Sequence, residues 1–148
     1  MNKIALTAVA AVILISGFQQ FATAHCEVPC GIYGDQLRFE AMLEDQSTVN
    51  KAMAQITSLA ANSDAQSANQ LARWVATKEA HATKIQETIA QYFMHQRIKP
   101  KNPKYVAQLT SAHAVMLAAM NCKQTVNAEN AAKLETAIKE FHKQYEGK

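Results

Sequence analysis

Glycine and proline are scarce in this chain, with four and three residues respectively among 148. So few turn formers exclude a collagen-like repeat or a linker-rich array, and a hydrophobic fraction of 49% excludes a disordered chain. The net charge is also small: it is +3, and it falls to +2 once Lys3 is removed with the N-terminal segment described below. A chain this close to neutral gives no reason to expect nucleic acid or an anionic membrane as a partner. The length allows one domain of ordinary size.

Cysteines are few and odd in number, at three. That is too few for a disulfide-stapled miniprotein, and at least one thiol has no partner within the chain. Cys26 and Cys30 lie close together near the N-terminus, whereas Cys122 stands alone. Because an isolated cysteine usually packs as a small hydrophobe, Cys122 is predicted to be a buried structural thiol.

Residues 1–24 are predicted to be a signal peptide that is removed. A short basic start is followed by an almost wholly apolar stretch from Ile4 to Phe18, whereas a membrane span needs roughly 20 residues. Residues 22–24, Ala-Thr-Ala, match the A-x-A pattern that signal peptidase reads. Cleavage makes His25 the first residue of an exported protein, periplasmic or extracellular and no longer held at a membrane. The alternative is an uncleaved anchor helix, which is disfavoured because two glutamines end the apolar run early.

Residues 35–148 are predicted to form an all-α, up-and-down four-helix bundle with an N-terminal metal-binding hook. Strand-like alternation is lacking, whereas apolar residues recur at helical steps of three and four. The polar break at residues 62–64 is predicted to end the first helix and cap the second, and Pro100 and Pro103 separate the second from the third. His113, on the stripe of the third helix, is predicted to be a buried histidine. The predicted inward stripes are Phe39, Met42, Gln46, Val49, Met53, Ile56 and Ala60; Leu71, Trp74, Lys78, His81, Ile85 and Tyr92; Val106, Leu109, His113, Met116 and Met120; and Ala131, Leu134, Ile138, Phe141 and Tyr145.

The candidate chemistry lies in nine residues directly after the cleavage site, His25-Cys26-Glu27-Val28-Pro29-Cys30-Gly31-Ile32-Tyr33. If His25 is the first residue, its amine and the amide nitrogen and thiolate of Cys26 form two fused five-membered chelate rings around a metal. Cys30 can return through a turn as a second thiolate, giving a planar N2S2 set that suits Ni(II) or Cu(II) better than tetrahedral Zn(II). The His25 imidazole can add an axial nitrogen, which favours the higher oxidation state and one-electron chemistry.

This segment closely resembles the nickel hook of the nickel superoxide dismutases, H-C-x-x-P-C-G-x-Y, at every defining position. The later run of residues 38–41, Arg-Phe-Glu-Ala, is similar to the start of the family's first helix, although it lies one residue nearer the hook. The resemblance implies disproportionation of superoxide to dioxygen and hydrogen peroxide by a nickel ion, one per subunit, that alternates between Ni(II) and Ni(III). It also implies a homohexamer of bundles, with residues 25–34 as the hook and residues 35–148 as the bundle domain.

The resemblance further implies roles for individual residues. His25 would supply amine and axial imidazole, Cys26 amide and thiolate, and Cys30 the second thiolate. Tyr33 would be catalytic together with His25, standing over the open axial face and holding superoxide or peroxide by its hydroxyl without ligating nickel. The peptide bond before Pro29 is expected to be cis.

In the family, a glutamate on the first helix holds the axial imidazole and in turn meets an arginine on the second helix. Glu40 fits the glutamate. Arg73 lies only ~14 Å past the turn between these helices, whereas Glu40 lies ~36 Å before it, so Arg73 is at the wrong level. His81, on the inward stripe and closer to the hook, is predicted to take the place of the arginine.

Two other interpretations stay open. Exported thiols tend to oxidise, so Cys26 and Cys30 could form a disulfide, which is expected as the resting state of metal-free protein. The chelate could also belong to a nickel or copper carrier that has no turnover. Pro29, Tyr33 and the axial His25 favour an enzyme, because a carrier needs neither a gated face nor a fifth ligand.

Overall fold

The computed structural model describes residues 34–147, which form four helices and contain no strand. Helix α1 runs over Asp35–Leu59, α2 over Ala65–Glu87, α3 over Tyr105–Gln124 and α4 over Ala128–Glu146, and a π-helix over Thr88–Arg97 continues α2 directly. The predicted all-α four-helix bundle is therefore confirmed. Within this described range, no helix is both long and apolar enough to cross a membrane.

Helices that follow one another in sequence are also neighbours in space. Helix α1 packs against α2 and α4, and α3 packs against the same two helices, as in an up-and-down bundle. The start of α1, the end of the π-helix and the end of α4 consequently meet at one end of the bundle, where α3 also begins. We call this the junction end, because the described part of the chain begins there at Gly34.

The helix boundaries follow the local signals in the sequence. Asp64 caps α2, its carboxylate accepting hydrogen bonds from the Ser67 amide at 2.9 Å and the Ser67 hydroxyl at 2.6 Å. The Asn127 side chain accepts from the Glu129 amide at 2.9 Å and caps α4 in the same way. Gly147 ends α4 in the left-handed conformation, with φ of 78°, as a C-terminal glycine commonly does. As predicted, the polar break at residues 62–64 separates α1 from α2 and supplies the cap of α2.

The stripes predicted for α1 and α4 are confirmed almost completely. In α1 only Ala60 is exposed, since it lies just past the last turn, and in α4 only Tyr145 remains partly exposed. In α2, the stripe residues Lys78, Ile85 and Tyr92 are buried, whereas Leu71, Trp74 and His81 are partly exposed. Alternating apolar and polar faces predict burial well in α1 and α4, because each of these two helices has a single apolar face.

The stripe predicted for α3 is wrong at three of its five positions. Val106 is 69% exposed, Met120 is 40% exposed, and His113 is exposed and not a core histidine. Leu109 and Met116 are partly buried and pack against the core, and the buried face lies beside them and consists of Gln108, Ala112, Val115, Ala119 and Cys122. The reason is that α3 is apolar almost all round, so its sequence contains two candidate stripes and the core takes the one with smaller side chains.

The polar stripe residue Lys78 has a structural role inside the bundle. Its side chain is almost wholly buried, and its ammonium group donates to the carbonyl of Cys122 at 2.9 Å, to the carbonyl of Lys123, and to Glu79 Oε1 at 3.0 Å. The last turn of a helix leaves carbonyl groups without an amide donor, and a cation at that end also interacts favourably with the helix dipole. Lys78 therefore ties α2 to the C-terminal end of α3.

We predict that Lys78→Met lowers the free energy of unfolding by about 2 kcal/mol, because the carbonyls at the end of α3 lose a charged donor. Methionine fills the same volume, so the loss reports the hydrogen bonds and not a cavity. The control is Lys84→Met on the same helix, an exposed lysine whose substitution is expected to change stability by less than about 0.5 kcal/mol. Urea unfolding of both variants makes the measurement. A more stable Lys78→Met protein would mean that the cost of burying the ammonium group exceeds the benefit of its bonds.

Candidate metal centre

The predicted metal ligands His25, Cys26 and Cys30, together with Pro29 and Tyr33, lie outside the described residues. The structure does describe the junction end, which follows this segment directly in sequence. Gly34 is the first described residue and Asp35 begins α1. The junction end is therefore the part of the described bundle that is nearest in sequence to the candidate ligands.

The side chain of Asp35 is bound by two other elements of the bundle. Its Oδ1 atom accepts a hydrogen bond of 2.5 Å from the Tyr92 hydroxyl on the π-helix, and Oδ2 accepts one of 2.8 Å from the Tyr145 hydroxyl at the end of α4. Arg97 Nε lies 3.2 Å from Asp35 Oδ1, an ion pair without the direction of a good hydrogen bond. Arg97 also donates to the Tyr92 hydroxyl at 2.9 Å. We call these four side chains the Asp35 cluster.

Burial raises the pKa of both tyrosines in the Asp35 cluster. For Tyr145 and Tyr92 alike, loss of water is the largest cause and the carboxylate of Asp35 adds to it, while Arg97 opposes it. The hydrogen bond to Tyr92 raises the pKa of the Arg97 guanidinium. A raised tyrosine pKa keeps the hydroxyl protonated well above neutral pH. Both tyrosines therefore remain hydrogen-bond donors to Asp35 throughout the physiological range.

The π-helix explains why Tyr92 and Arg97 reach the same carboxylate. In an α-helix, residues five apart point about 140° away from each other around the axis. In a π-helix the backbone bonds run from i to i+5, so residues five apart lie one above the other. The bond from the Ile98 amide to the Phe93 carbonyl, 2.8 Å, has this spacing. The wider turn places the Arg97 guanidinium over the Tyr92 ring, 5.1 Å from its centre, with both polar ends at Asp35.

Aromatic rings pack directly beneath the Asp35 cluster. Phe39 on α1 lies 4.8 Å from Phe93 and 5.3 Å from Phe141, measured between ring centres. Tyr145 lies 5.2 Å from Phe93, edge to face. The imidazole of His142 stacks on Phe39 at 4.0 Å. These contacts make the junction end rigid, since large rings packed from three elements leave α1 little freedom to move.

Glu40 and His81, the two predicted supporting residues, are not brought together. Glu40 is exposed and accepts a hydrogen bond of 2.9 Å from Gln36, one turn earlier in α1. His81 Nδ1 instead lies 2.5 Å from Asp45 Oδ1, with both side chains mostly buried. Asp45 is about 7 Å further along α1 than Glu40, counting 1.5 Å per residue. The level of His81 on α2 therefore matches Asp45 and not Glu40.

The thiol of Cys122 is excluded as a candidate ligand. It is fully buried, as predicted, and is a free cysteine. Burial raises its pKa to about 11, with the Lys78 ammonium only partly opposing the shift. A thiol that stays protonated is a poor metal ligand. Among residues 34–147, moreover, no group of three or more histidine, cysteine, aspartate or glutamate side chains could hold a metal ion.

Comparison with protein families decides the identity of the chain. The model of the family described as nickel-containing superoxide dismutase matches residues 20–148. The chain belongs to this nickel superoxide dismutase family. It is accordingly a nickel-dependent oxidoreductase that acts on superoxide. Comparison with curated proteins and with solved structures gives no match.

The residues of this nickel superoxide dismutase fit its metal by their chemistry. Nickel(II) takes nitrogen and sulfur donors in planar sets, and softer thiolates suit it better than carboxylates alone. Within the matched range, the cysteines other than the buried Cys122 are Cys26 and Cys30. Since the described bundle offers no group of ligands, the nickel requirement of the family favours the segment before Gly34.

The Asp35 cluster was not among the predicted sites, although the positions of its tyrosines in the sequence indicate it. Tyr92 and Tyr145 both occur on predicted inward stripes near the ends of helices that finish where α1 begins. A buried tyrosine hydroxyl needs a partner, and Asp35 is the first acidic residue of the predicted bundle. Combining the up-and-down topology with this requirement would have placed the three side chains together. Arg97 could not have been added, because its position depends on the π-helix.

We predict that His81 is energetically coupled to Asp45 and independent of Glu40. In a double-mutant cycle of His81→Ala and Asp45→Ala, residues in contact should show a coupling of about 0.5 kcal/mol or more in the free energy of unfolding. The matched cycle of His81→Ala and Glu40→Ala should be additive to within about 0.5 kcal/mol. Urea unfolding at pH 7 measures both cycles. The reverse pattern would restore His81 as the partner of Glu40.

Proposed function

We propose that this superoxide dismutase works by cycling nickel between Ni(II) and Ni(III) at an N-terminal hook formed by residues 25–34. The observation that carries the proposal is the segment His25-Cys26-Glu27-Val28-Pro29-Cys30-Gly31-Ile32-Tyr33, which lies within the range matched by the family. The lack of a ligand group in residues 34–147 supports it. One nickel ion per subunit follows, because each chain has one such segment.

The proposed ligands are His25, Cys26 and Cys30. The amine of His25, the amide and thiolate of Cys26 and the thiolate of Cys30 would hold the metal, with the first three donors coming from consecutive residues. Thiolates and a deprotonated amide are anionic, strongly donating ligands, so they lower the metal's potential toward the range in which superoxide can both reduce and oxidise it. When bound, nickel supplies the one-electron redox chemistry, and the net reaction turns two superoxide ions and two protons into dioxygen and hydrogen peroxide.

The remaining residues of the hook and of the first turns of α1 have supporting roles in this proposal. Tyr33, two residues before Asp35, would restrict access to the metal and hold the anion by its hydroxyl. Pro29 would shape the turn that brings Cys30 to the metal. Glu40 is exposed near the start of α1, where its carboxylate could accept a hydrogen bond from the His25 imidazole and orient that ring.

We further propose that residues 1–24 are cleaved as a signal peptide and that the enzyme works in the periplasm or outside the cell. The ligand set itself requires processing, because the amine of His25 exists only when no residue precedes it. The A-x-A pattern at residues 22–24 ends at the position that processing requires. Export and metal binding therefore depend on the same cleavage.

The decisive test compares protein that begins at His25 with protein that has one extra alanine before it. We expect the first to bind one nickel ion and to consume superoxide, and the second to lose both properties, since the extra residue turns the amine into an amide. The measurements are nickel content after gel filtration and superoxide decay by stopped flow. Equal nickel content and activity in the two proteins would overturn the chelate.

Substitutions separate the roles of the ligands. Cys26→Ser or Cys30→Ser is expected to abolish nickel binding at neutral pH, because a hydroxyl stays protonated where a metal-bound thiol does not. His25→Gln is expected to keep nickel and lose most of its turnover, since only the axial nitrogen disappears. Electron paramagnetic resonance of the oxidised protein should show axial nitrogen coupling in the wild type alone. Full activity of His25→Gln would remove the axial ligand from the mechanism.

We also propose that the enzyme is a homo-oligomer, a homohexamer as in the resemblance, with the outer stripe of α3 at its subunit contacts. Val106, Leu117 and Met120 are 69%, 53% and 40% exposed, and they lie with His113 along one line of α3 opposite its buried face. The stripe contains no lysine, arginine, aspartate or glutamate. Two copies can therefore pack on it without repulsion between like charges, and depletion of charge is typical of interface cores.

We predict that Leu117→Glu shifts the protein to smaller assemblies, because a charge would then face its symmetry mate without a partner. The control is Val75→Glu on α2, a substitution at an apolar residue of similar exposure, 40%, that lies off the stripe. Analytical ultracentrifugation gives the assembly size, and circular dichroism shows that the helices are retained. If the Leu117→Glu protein keeps the wild-type mass, the stripe is not the interface.

A further inference from the structure

We propose that the Asp35 cluster is a clamp that positions the nickel hook, with Asp35, Tyr92 and Tyr145 as positioning residues. This inference rests on the proposed function and adds to it the part of the bundle that holds the hook in place. None of the three residues would touch the metal or the substrate. Their effect would pass through the backbone at residue 35 to the ligands, the nearest of which is Cys30.

The contacts of Asp35 are unusual for a residue in the first turn of a helix. An acidic side chain there commonly bonds the free amides of its own helix and stabilises the helix dipole. Here both carboxylate oxygens are taken by partners 57 and 110 residues away in sequence, at 2.5 Å and 2.8 Å. These bonds do not help α1 to form. They hold the first residue of α1 against the ends of two other elements.

The clamp lies at the first residue of α1, directly after Gly34. Gly34 adopts an extended conformation with φ of −71° and ψ of 140°, and a Cβ atom placed on it would have no neighbour within 4 Å. The Cβ side of Gly34 is therefore open. Asp35 is held by hydrogen bonds to two other elements, and the aromatic packing of Phe39 one turn later keeps it in register. The clamp would thus set the position of the hook through the residue that follows it.

The hydroxyl groups of Tyr92 and Tyr145 bind Asp35, whereas their rings pack in the core. Tyr145 and Tyr92 both pack against Phe93, so their rings would be held by the core without any hydroxyl. Arg97 donates to the Tyr92 hydroxyl, which in turn donates to Asp35, so the positive charge strengthens a bond that already points at the carboxylate. The hydroxyls can therefore be removed one at a time with little change in the core.

The proposed ligands of the hook explain why such a clamp would affect the metal site. Three of the proposed planar donors come from His25 and Cys26, and the fourth from Cys30, so the ligands themselves fix the shape of the hook but not its position on the bundle. Axial contact with Glu40 and shielding by Tyr33 both depend on that position. Outer groups that orient metal ligands typically change metal affinity or activity by about 10- to 100-fold when they are lost.

The test uses full processed protein with Asp35→Asn, Tyr145→Phe and, as the matched control, Tyr105→Phe. Asparagine keeps the size of Asp35 and removes the charge that Tyr92, Tyr145 and Arg97 share. The control removes a hydroxyl from another partly buried tyrosine at the junction end, the first residue of α3, which lies outside the Asp35 cluster. We measure the rate of nickel release to a chelator, the axial nitrogen coupling in the electron paramagnetic resonance spectrum, and amide hydrogen exchange in the first turn of α1 in metal-free protein. Circular dichroism checks that the helices are retained.

We expect nickel release to be at least about 10-fold faster in Asp35→Asn, with a weakened axial coupling, and to change in the same direction but less in Tyr145→Phe. Exchange in the first turn of α1 should rise in both variants, and Tyr105→Phe should match the wild type throughout. The double variant should be little worse than Asp35→Asn, since the two side chains share one bond. Wild-type release rates and couplings in Asp35→Asn would overturn the clamp, even if its stability fell.

The experiment distinguishes failure of the proposed nickel hook from failure of the clamp. If wild-type protein that begins at His25 takes up no nickel, the hook itself is wrong. The exchange measurement still tests the anchoring of α1 in that case, because it needs no metal, and unchanged exchange in Asp35→Asn would then overturn the clamp as well. If the wild type binds nickel and only the variants release it faster, both inferences stand.

Discussion

The junction end of the fold depends on the side-chain carboxylate of Asp35, the residue at which the predicted hook ends and helix α1 begins. This carboxylate receives hydrogen bonds from Tyr92 and Tyr145, which belong to the two elements that end where α1 begins. An up-and-down topology brings these three chain segments to the same end of the molecule. The two hydrogen bonds then hold the first residue of α1 against these two elements in a defined geometry.

The described bundle provides the packed core, whereas metal binding is proposed for the hook. The core of the bundle is complete in itself: it has large rings at the junction end, the Lys78 ammonium group closing α3, and Gln46 bonded across to the Ala131 carbonyl at 2.8 Å. No histidine, cysteine or carboxylate group in residues 34–147 is arranged to take a metal. What holds the described bundle together is apolar packing and hydrogen bonds, in contrast to small domains whose folding is metal binding. Consecutive ligands such as those proposed for the hook can form chelate rings without a preformed pocket, so a short segment would suffice.

The parts of the fold that could be predicted were those with one apolar face. In α1 and α4, residues such as Phe39 and Leu134 alternate with charged neighbours, and the helical period alone places them in the core. In α3 the same reasoning chose Val106 and Met120, which are exposed, because the opposite face of alanine, valine and cysteine is equally apolar. Periodicity measures the contrast between faces, so it cannot select between two apolar faces. The exposed members of the predicted stripe, together with Leu117, form the outer stripe that supports the proposed contact with another copy.

The candidate site shows the same limit in another form. The proposed ligands could be predicted from sequence because three chelating groups in consecutive positions need no knowledge of the fold. The supporting residues depend instead on which levels of α1 and α2 face each other. Counted from the turn between these helices at 1.5 Å per residue, Glu40 lies ~36 Å away, whereas His81 lies ~26 Å and Asp45 ~28 Å away. His81 is therefore level with Asp45, as the structure shows, and the inward stripe alone was not enough to choose its partner. Arg97 is a different case, because its place beside Tyr92 and Asp35 depends on the π-helix over Thr88–Arg97, which apolar periodicity does not reveal.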